Sequence, residues 1–189
     1  MTEHHWHYAD ETDRRKWQDP EGILREIGVK PGLTFIDLGC GEGFFTLPAA
    51  RMIGPAGKVY GVDSDEQAVA RLRRRAELEK LANIELTVGP AETALLCRGC
   101  ADIVFFGIVL HDFEKPALVL RNAHLMLKPD GRLVNLDWQK ISMAFGPPVA
   151  KRFSPETAAQ LIASAGFKVL ITRASGQYFY LMIAGPASV

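Results

Sequence analysis

Thr34-Phe35-Ile36-Asp37-Leu38-Gly39-Cys40-Gly41-Glu42-Gly43 decides the fold of this chain. It reads as a buried strand closed by an acid, running into a turn with glycine at every second position. Glycine there lets the backbone bend sharply and approach a ligand where a Cβ would clash. A helix is expected over 44–52, and its free N–H groups point back at whatever lies against the turn. Asp37, at the carboxyl end of the strand, offers negative charge to a cationic group. The pattern suits a nucleotide that carries a positively charged tail.

The spacing separates this turn from the dinucleotide fingerprint, G-x-G-x-x-G. Here Gly39, Gly41 and Gly43 give G-x-G-x-G, with Asp37 two residues earlier. On these residues the chain resembles the class I S-adenosylmethionine-dependent methyltransferases, whose first motif has the form D-x-G-x-G-x-G. The competing reading is a glycine-rich turn of another α/β protein, such as a nicotinamide oxidoreductase, and the glycine spacing opposes it.

At 189 residues the chain has the length of one ordinary domain with a real core. Its 22 basic and 22 acidic residues cancel. No global field therefore steers it toward nucleic acid or an anionic membrane, which argues against a nucleic-acid partner. No stretch approaches the roughly 18 apolar residues of a membrane span. The first residues lack the basic-then-apolar order of a secretory signal, so the expected location is cytoplasmic. Three cysteines, an odd number, suggest no disulfide framework.

Element signals alternate along the chain. Asp19-Pro20-Glu21 starts a helix, and Lys30-Pro31-Gly32 turns into the first strand. A second strand follows over 58–63. Ser64 and Gln67 have capping-box spacing, which predicts a helix with Ala68, Leu72, Ala76 and Leu78 inward and its arginines outward. Strands are expected at 84–88 and 101–106, then a helix from Lys115-Pro116 to Lys128-Pro129-Asp130-Gly131, then a strand over 132–137. Ser154-Pro155-Glu156 starts the last helix and Gly166 ends it. The short link between 168–173 and 178–184 allows only a hairpin. These signals predict an α/β fold: a doubly wound, mostly parallel seven-stranded sheet with an antiparallel C-terminal hairpin. The resemblance implies the same Rossmann-like layout, with residues 1–19 as an N-terminal arm or lid and 20–189 as one cofactor-binding domain.

In open α/β sheets the ligand lies beyond the carboxyl ends of the strands, where strand order reverses. The resemblance implies S-adenosylmethionine there, with S-adenosylhomocysteine as product. Asp37, Gly39, Cys40, Gly41 and Gly43 would hold the methionine end, and Asp63 would take the ribose hydroxyls, with Ser64 beside the adenine. Related enzymes often place an Asp after the third strand for the adenine amino group. Pro90 stands there in this chain, leaving Ala91 and Glu92 to make the contact.

On the acceptor side, Gly107 allows close backbone approach, and His111 titrates near neutrality. His111 is the candidate base or acceptor contact and Asp112 its candidate partner; a structural histidine bonding a carbonyl is the alternative. Asp137-Trp138 faces the same crevice, and Met143 to Pro148 form a small lid, which argues for a small-molecule acceptor. His4, His5 and His7 with Trp6, Tyr8 and Trp17 read as a lid, a metal site or a plain terminus. Cys97-Arg98-Gly99-Cys100 stands alone as a C-x-x-C and reads as a loop with two unpaired thiols; no metal ligands are assigned.

The reading that follows is an S-adenosylmethionine-dependent methyltransferase using direct in-line transfer to a small molecule. A protein side chain as acceptor and a nonenzymatic cofactor-binding module are the alternatives. Carbon, oxygen, nitrogen and sulfur acceptors all occur on this fold, so the acceptor atom stays open.

Overall fold

Parallel pairing of Thr34–Leu38 (β1) with strands on both sides sets the architecture in the computed structural model, which describes residues 11–187. In chain order the elements before it are α1 (Glu11–Arg15) and α2 (Pro20–Glu26). After it come α3 (Thr46–Ile53), β2 (Lys58–Asp63), α4 (Glu66–Leu78), β3 (Ile84–Val88) and β4 (Ala101–Gly107). The chain closes with α5 (Pro116–Met126), β5 (Leu127–Trp138), α6 (Pro155–Ser164), β6 (Phe167–Ser175) and β7 (Phe179–Pro186). The seven strands lie in the order β3-β2-β1-β4-β5-β7-β6. Pairs up to β5 are parallel, and β7 runs antiparallel to both β5 and β6. The expected fold class is the one observed, and strand order reverses between β1 and β4.

Alternation along each strand divides the core between two faces, as the pleat requires. Ile36, Leu38, Val104 and Phe106 pack on one face against Val119, Leu120 and Ala123 of α5 and Ile162 of α6. Phe35, Val59, Ile103, Phe105 and Val134 pack on the other against Leu24, Ile27, Ala49 and Ile53. Sheet and helices thus bury both faces of the parallel strands, which explains their near-continuous apolar sequences.

Helix starts at Asp19 and Ser154 follow the sequence: Asp19 accepts from the Gly22 N–H and Ser154 from the Thr157 N–H. The start of α4 does not. Asp65 rather than Ser64 is the cap, because its carboxylate accepts from both the Gln67 and Ala68 N–H groups, beginning the helix one residue later. Leu78 is also misplaced by pattern reading, being 76% exposed. It lies two residues beyond buried Ala76, about 200° round the helix, so the stripe through Val69, Leu72 and Ala76 turns away from it. Of the outward arginines, Arg71 bonds the Glu42 carboxylate and Arg75 pairs with Glu11 of α1. β5 starts earlier than expected, taking in residues 128–131, which were expected to end the preceding helix.

Cys97 and Cys100 are joined by a disulfide, contrary to the expectation of free thiols. The Gly99 and Cys100 N–H groups donate to the Leu125 and Met126 carbonyls, which folds the loop so that the two Cα atoms stand 6.0 Å apart. That separation is within bridging range. Cys40 is the remaining, buried thiol.

The exposure of Leu78 gives a direct check on helix α4. L72A should cost about 2–5 kcal/mol in urea unfolding, whereas L78A should stay within about 0.5 kcal/mol of wild type. Equal losses would mean that Leu78 belongs to the core.

Candidate active site

The glycine turn is tied down before any ligand arrives. Gly39 and Cys40 donate their N–H groups to the Val62 carbonyl at 2.8 and 3.0 Å, joining the end of β1 to β2. Gly41, at φ +51°, donates to Asp63 Oδ2 at 2.7 Å, and the other Asp63 oxygen accepts from the Asp65 N–H at 2.9 Å. Asp63 is therefore fixed at the end of β2 by two backbone donors, with Ser64 between them in sequence. The glycines do different jobs. A Cβ on Gly39 would come within 2.6 Å of Val109, whereas one on Gly41 would meet nothing within 4 Å. Gly39 is needed for packing, and Gly41 faces open space. A Cβ on Gly43 would run into Leu72 of α4, so that glycine is a packing residue as well.

Asp37 lies beneath the turn, 2% exposed, and accepts from Thr46 Oγ1 at 2.6 Å. Burial pushes its carboxyl up to about 7, reinforced by the nearby Asp63 charge and opposed by the Thr46 bond. Burial also pushes the Cys40 thiol up, so it stays protonated and packs beside Leu47 and Leu72. At the end of β3, Ala91–Thr93 forms a 3₁₀ turn with Ala91 buried. Glu92 is engaged away from the glycine turn: its carboxylate accepts from the Lys115 N–H at 3.3 Å, and its carbonyl from Asn122 Nδ2 at 2.8 Å.

The end of β4 is strained. After Gly107, Ile108 adopts φ +68°, an outlier for a β-branched residue that costs about 1–3 kcal/mol. Its N–H donates to the Leu136 carbonyl at 2.7 Å. Val109 then packs on Gly39, and a 3₁₀ turn at Leu110–Asp112 carries His111 inward.

His111 Nδ1 stands 2.7 Å from Asp137 Oδ1 at the end of β5, and Nε2 stands 3.4 Å from Asp112 Oδ2. The imidazole and the Asp137 carboxylate are enclosed, while the Asp112 side chain is 46% exposed. Burial lowers the His111 pKa, but the Asp137 bond and charge, helped by Asp112, outweigh burial and Arg152, so the net direction is upward. Sequence reasoning paired His111 with Asp112; the buried partner is Asp137. Its signal was present in an acid closing a buried strand next to β4, since Gly107 sits beside Leu136 in the register. His111 Nε2 and Asp137 Oδ2 are buried with no hydrogen-bond partner among the described residues.

Trp138 points to the opposite face of β5. There it packs with Phe179 at 4.6 Å and with Trp17 and Phe145 at 6.1 and 5.9 Å, so it forms the core of an aromatic roof. Trp17 joins the N-terminal segment to this roof, and Arg14 lies over the Phe44 ring at 3.8 Å. Arg152, 2% exposed, gathers the loop between β5 and α6 by donating to the Gln139, Ile141, Phe145 and Pro147 carbonyls. His4, His5, His7, Trp6 and Tyr8 lie outside the described residues. Among the described residues no group of three potential ligands is arranged to hold a metal ion, and no helix is long and apolar enough to cross a membrane.

Residues 29–165 match the family model of a methyltransferase domain. The chain belongs to that family. The match runs from just before β1 to the end of α6, taking in the glycine turn, Asp63, His111 and Asp137. A solved S-adenosylmethionine-dependent methyltransferase from Aquifex aeolicus superposes with a TM-score of 0.85 at 27% identity, over 94% of this chain and 98% of that one. The demethylmenaquinone methyltransferase of Lactococcus lactis is 32% identical over 60% of this chain and 45% of its own length. The nocamycin O-methyltransferase of Saccharothrix syringae is 32% identical over 59% of this chain and 40% of its own. The chain spans about a third to a half of the length of the curated relatives it matches.

Buried Asp37 makes the stability of this methyltransferase-domain protein depend on pH. An acid raised from 3.8 to about 7 on folding opposes folding progressively as pH rises between those values. D37N should therefore raise the melting temperature of the ligand-free protein by about 3 °C or more at pH 8. At pH 4 the gain should nearly vanish, because Asp37 is then protonated in the folded chain. An equal gain at both pH values would contradict a protonation origin.

Proposed function

We propose that the protein is an S-adenosylmethionine-dependent methyltransferase acting on a small-molecule acceptor. The observation that carries this reading is the open space over Gly41, bordered by an Asp63 carboxylate fixed at the end of the neighbouring strand. An adenosyl sulfonium fits such a donor set: backbone in the turn for its amino-acid end, a carboxylate for the ribose hydroxyls, and acidic residues for its positive charge. When bound, S-adenosylmethionine supplies a methyl group already activated by the sulfonium, so the protein chiefly aligns the reactants.

Each part of the chain then has a task. Gly39, Cys40, Gly41 and Gly43 shape the turn around the methionine end. Asp37 lies beneath it, close enough to a neutral pKa that a cationic ligand would favour its ionised form. Asp63 receives the ribose, with Ser64 beside the base. The adenine edge falls to Ala91 and its turn, since the Glu92 side chain is committed to the start of α5. Gly107, His111 and Asp112 lie on the acceptor side.

A small acceptor is favoured over a protein side chain because the His111 ring is fully enclosed. Demethylmenaquinone and nocamycin, named in the relatives' activities, are small molecules.

Thermal unfolding with S-adenosylmethionine, S-adenosylhomocysteine and NAD, each at about 1 mM, tests the cofactor assignment. A ligand at 100 times its dissociation constant stabilises by roughly 2.7 kcal/mol. The two adenosyl compounds should raise the melting temperature, NAD should not, and D63A should remove most of the rise. A shift with NAD alone, or with none of the three, would sink the assignment.

A further inference from the structure

We propose that Asp137 fixes the tautomer of His111 so that Nε2 takes the proton of an acidic hydroxyl acceptor, of the phenol or enol class. This rests on the methyltransferase reading above and specifies its acceptor.

An ionised carboxylate can only accept, so the 2.7 Å contact places the imidazole proton on Nδ1 and leaves the lone pair on Nε2. Both side chains are enclosed, so water cannot compete to reverse that arrangement. Asp137 Oδ1 also accepts from the Trp138 N–H at 2.8 Å, which locks the carboxylate to its own backbone.

Nε2 itself has no hydrogen-bond partner among the described residues. A buried polar atom left unsatisfied costs about 1–3 kcal/mol, and the hydroxyl of a bound acceptor would satisfy it. Nε2 is enclosed and lies 3.4 Å from the carboxylate of half-exposed Asp112, so an acceptor reaches it by displacing the Asp112 side chain. The turn that carries His111 is held against the glycine turn by Val109 on Gly39, so the base and the proposed cofactor site are neighbours.

The charged and titratable groups around the ring have distinct places. Asp137 lies on β5, Asp112 on the ring's own turn, and Arg152 on the loop before α6. Tyr180 on β7 interacts with Asp137. Two carboxylates against one guanidinium favour the imidazolium that proton transfer creates.

The chemistry follows. The acceptor O–H bond breaks, its electron pair stays on oxygen, and the Nε2 lone pair forms the new N–H bond. The new positive charge lies against Asp137, and the proton later leaves to solvent past Asp112. A thioether or tertiary amine acceptor would have no proton to give, and the dyad would be idle. Asp137 is a positioning residue here, because it acts through His111.

The test uses para-nitrophenol, whose ionisation is visible by absorbance, added to the S-adenosylhomocysteine-loaded protein at a pH below the phenol's own pKa. Wild type should increase the phenolate fraction over that in buffer. H111Q and D137N should lose at least about tenfold of that excess, and D112N should lose less than either. Equal signals from wild type and H111Q would overturn the proposal, as would loss in D112N with retention in D137N. The melting shift by S-adenosylhomocysteine is measured on the same samples. Absence of that shift in wild type defeats the cofactor reading itself, whereas its presence in every variant confirms folding and confines any failure to the dyad.

Discussion

The bond from the Gly41 N–H to the Asp63 carboxylate is the constraint on which the site depends. It ties the turn after β1 to the end of β2 and holds both at the edge of the space over Gly41. In the proposed role Asp63 would meet the ligand already held by backbone donors, and the left-handed turn at Gly41 suits a residue without a Cβ. The preceding glycine acts differently. Gly39 lets Val109 approach, which brings the end of β4 against the turn. Two glycines two residues apart thus separate keeping space open above the turn from closing the protein against it.

Burial of Asp37 adds an electrostatic cost to the same place. A carboxyl held at 2% exposure with one hydroxyl donor is poorly solvated when charged, and its pKa rises accordingly. Such a residue weakens the empty protein near neutral pH, and a cation above it, as in the proposed complex, would favour its ionised form. The strain at Ile108 has the same character. About 1–3 kcal/mol of backbone distortion is held by the bond to Leu136 and by burial, and it aims the following turn inward. Stability is given up at the ends of the strands and recovered in the two apolar layers beneath them.

Much of the fold was legible because strand and cap signals are local. The apolar run at 101–106, the caps at Asp19 and Ser154, and the hairpin link each depend on neighbours in sequence. Leu78 and Ser64 were misread where two local rules competed: a leucine near the right spacing but two residues off the buried stripe, and a serine beside a better-capping aspartate. Non-local facts were harder. The Cys97–Cys100 bridge depends on backbone bonds to the end of α5, and the His111–Asp137 pair depends on β5 lying beside β4. Asp112, the partner suggested by adjacency, does approach Nε2 at 3.4 Å but is half-exposed, and the parallel neighbour supplies the shorter, buried contact at 2.7 Å.

The sheet order explains why the candidate chemistry divides in two. β1 and β2 carry the glycine turn and Asp63, while β4 and β5 carry His111 and Asp137, and the reversal of strand order falls between the two pairs. Parallel strands bring all four carboxyl ends to one edge, so acids that close separate strands converge without further design. The antiparallel β7 then covers the far side of β5, and its Tyr180 lies opposite Asp137 in the register. That cover excludes water from the carboxylate and makes its bond to His111 strong. The C-terminal hairpin therefore belongs to the proposed acid–base environment, although it lies beyond the 29–165 span of the family match.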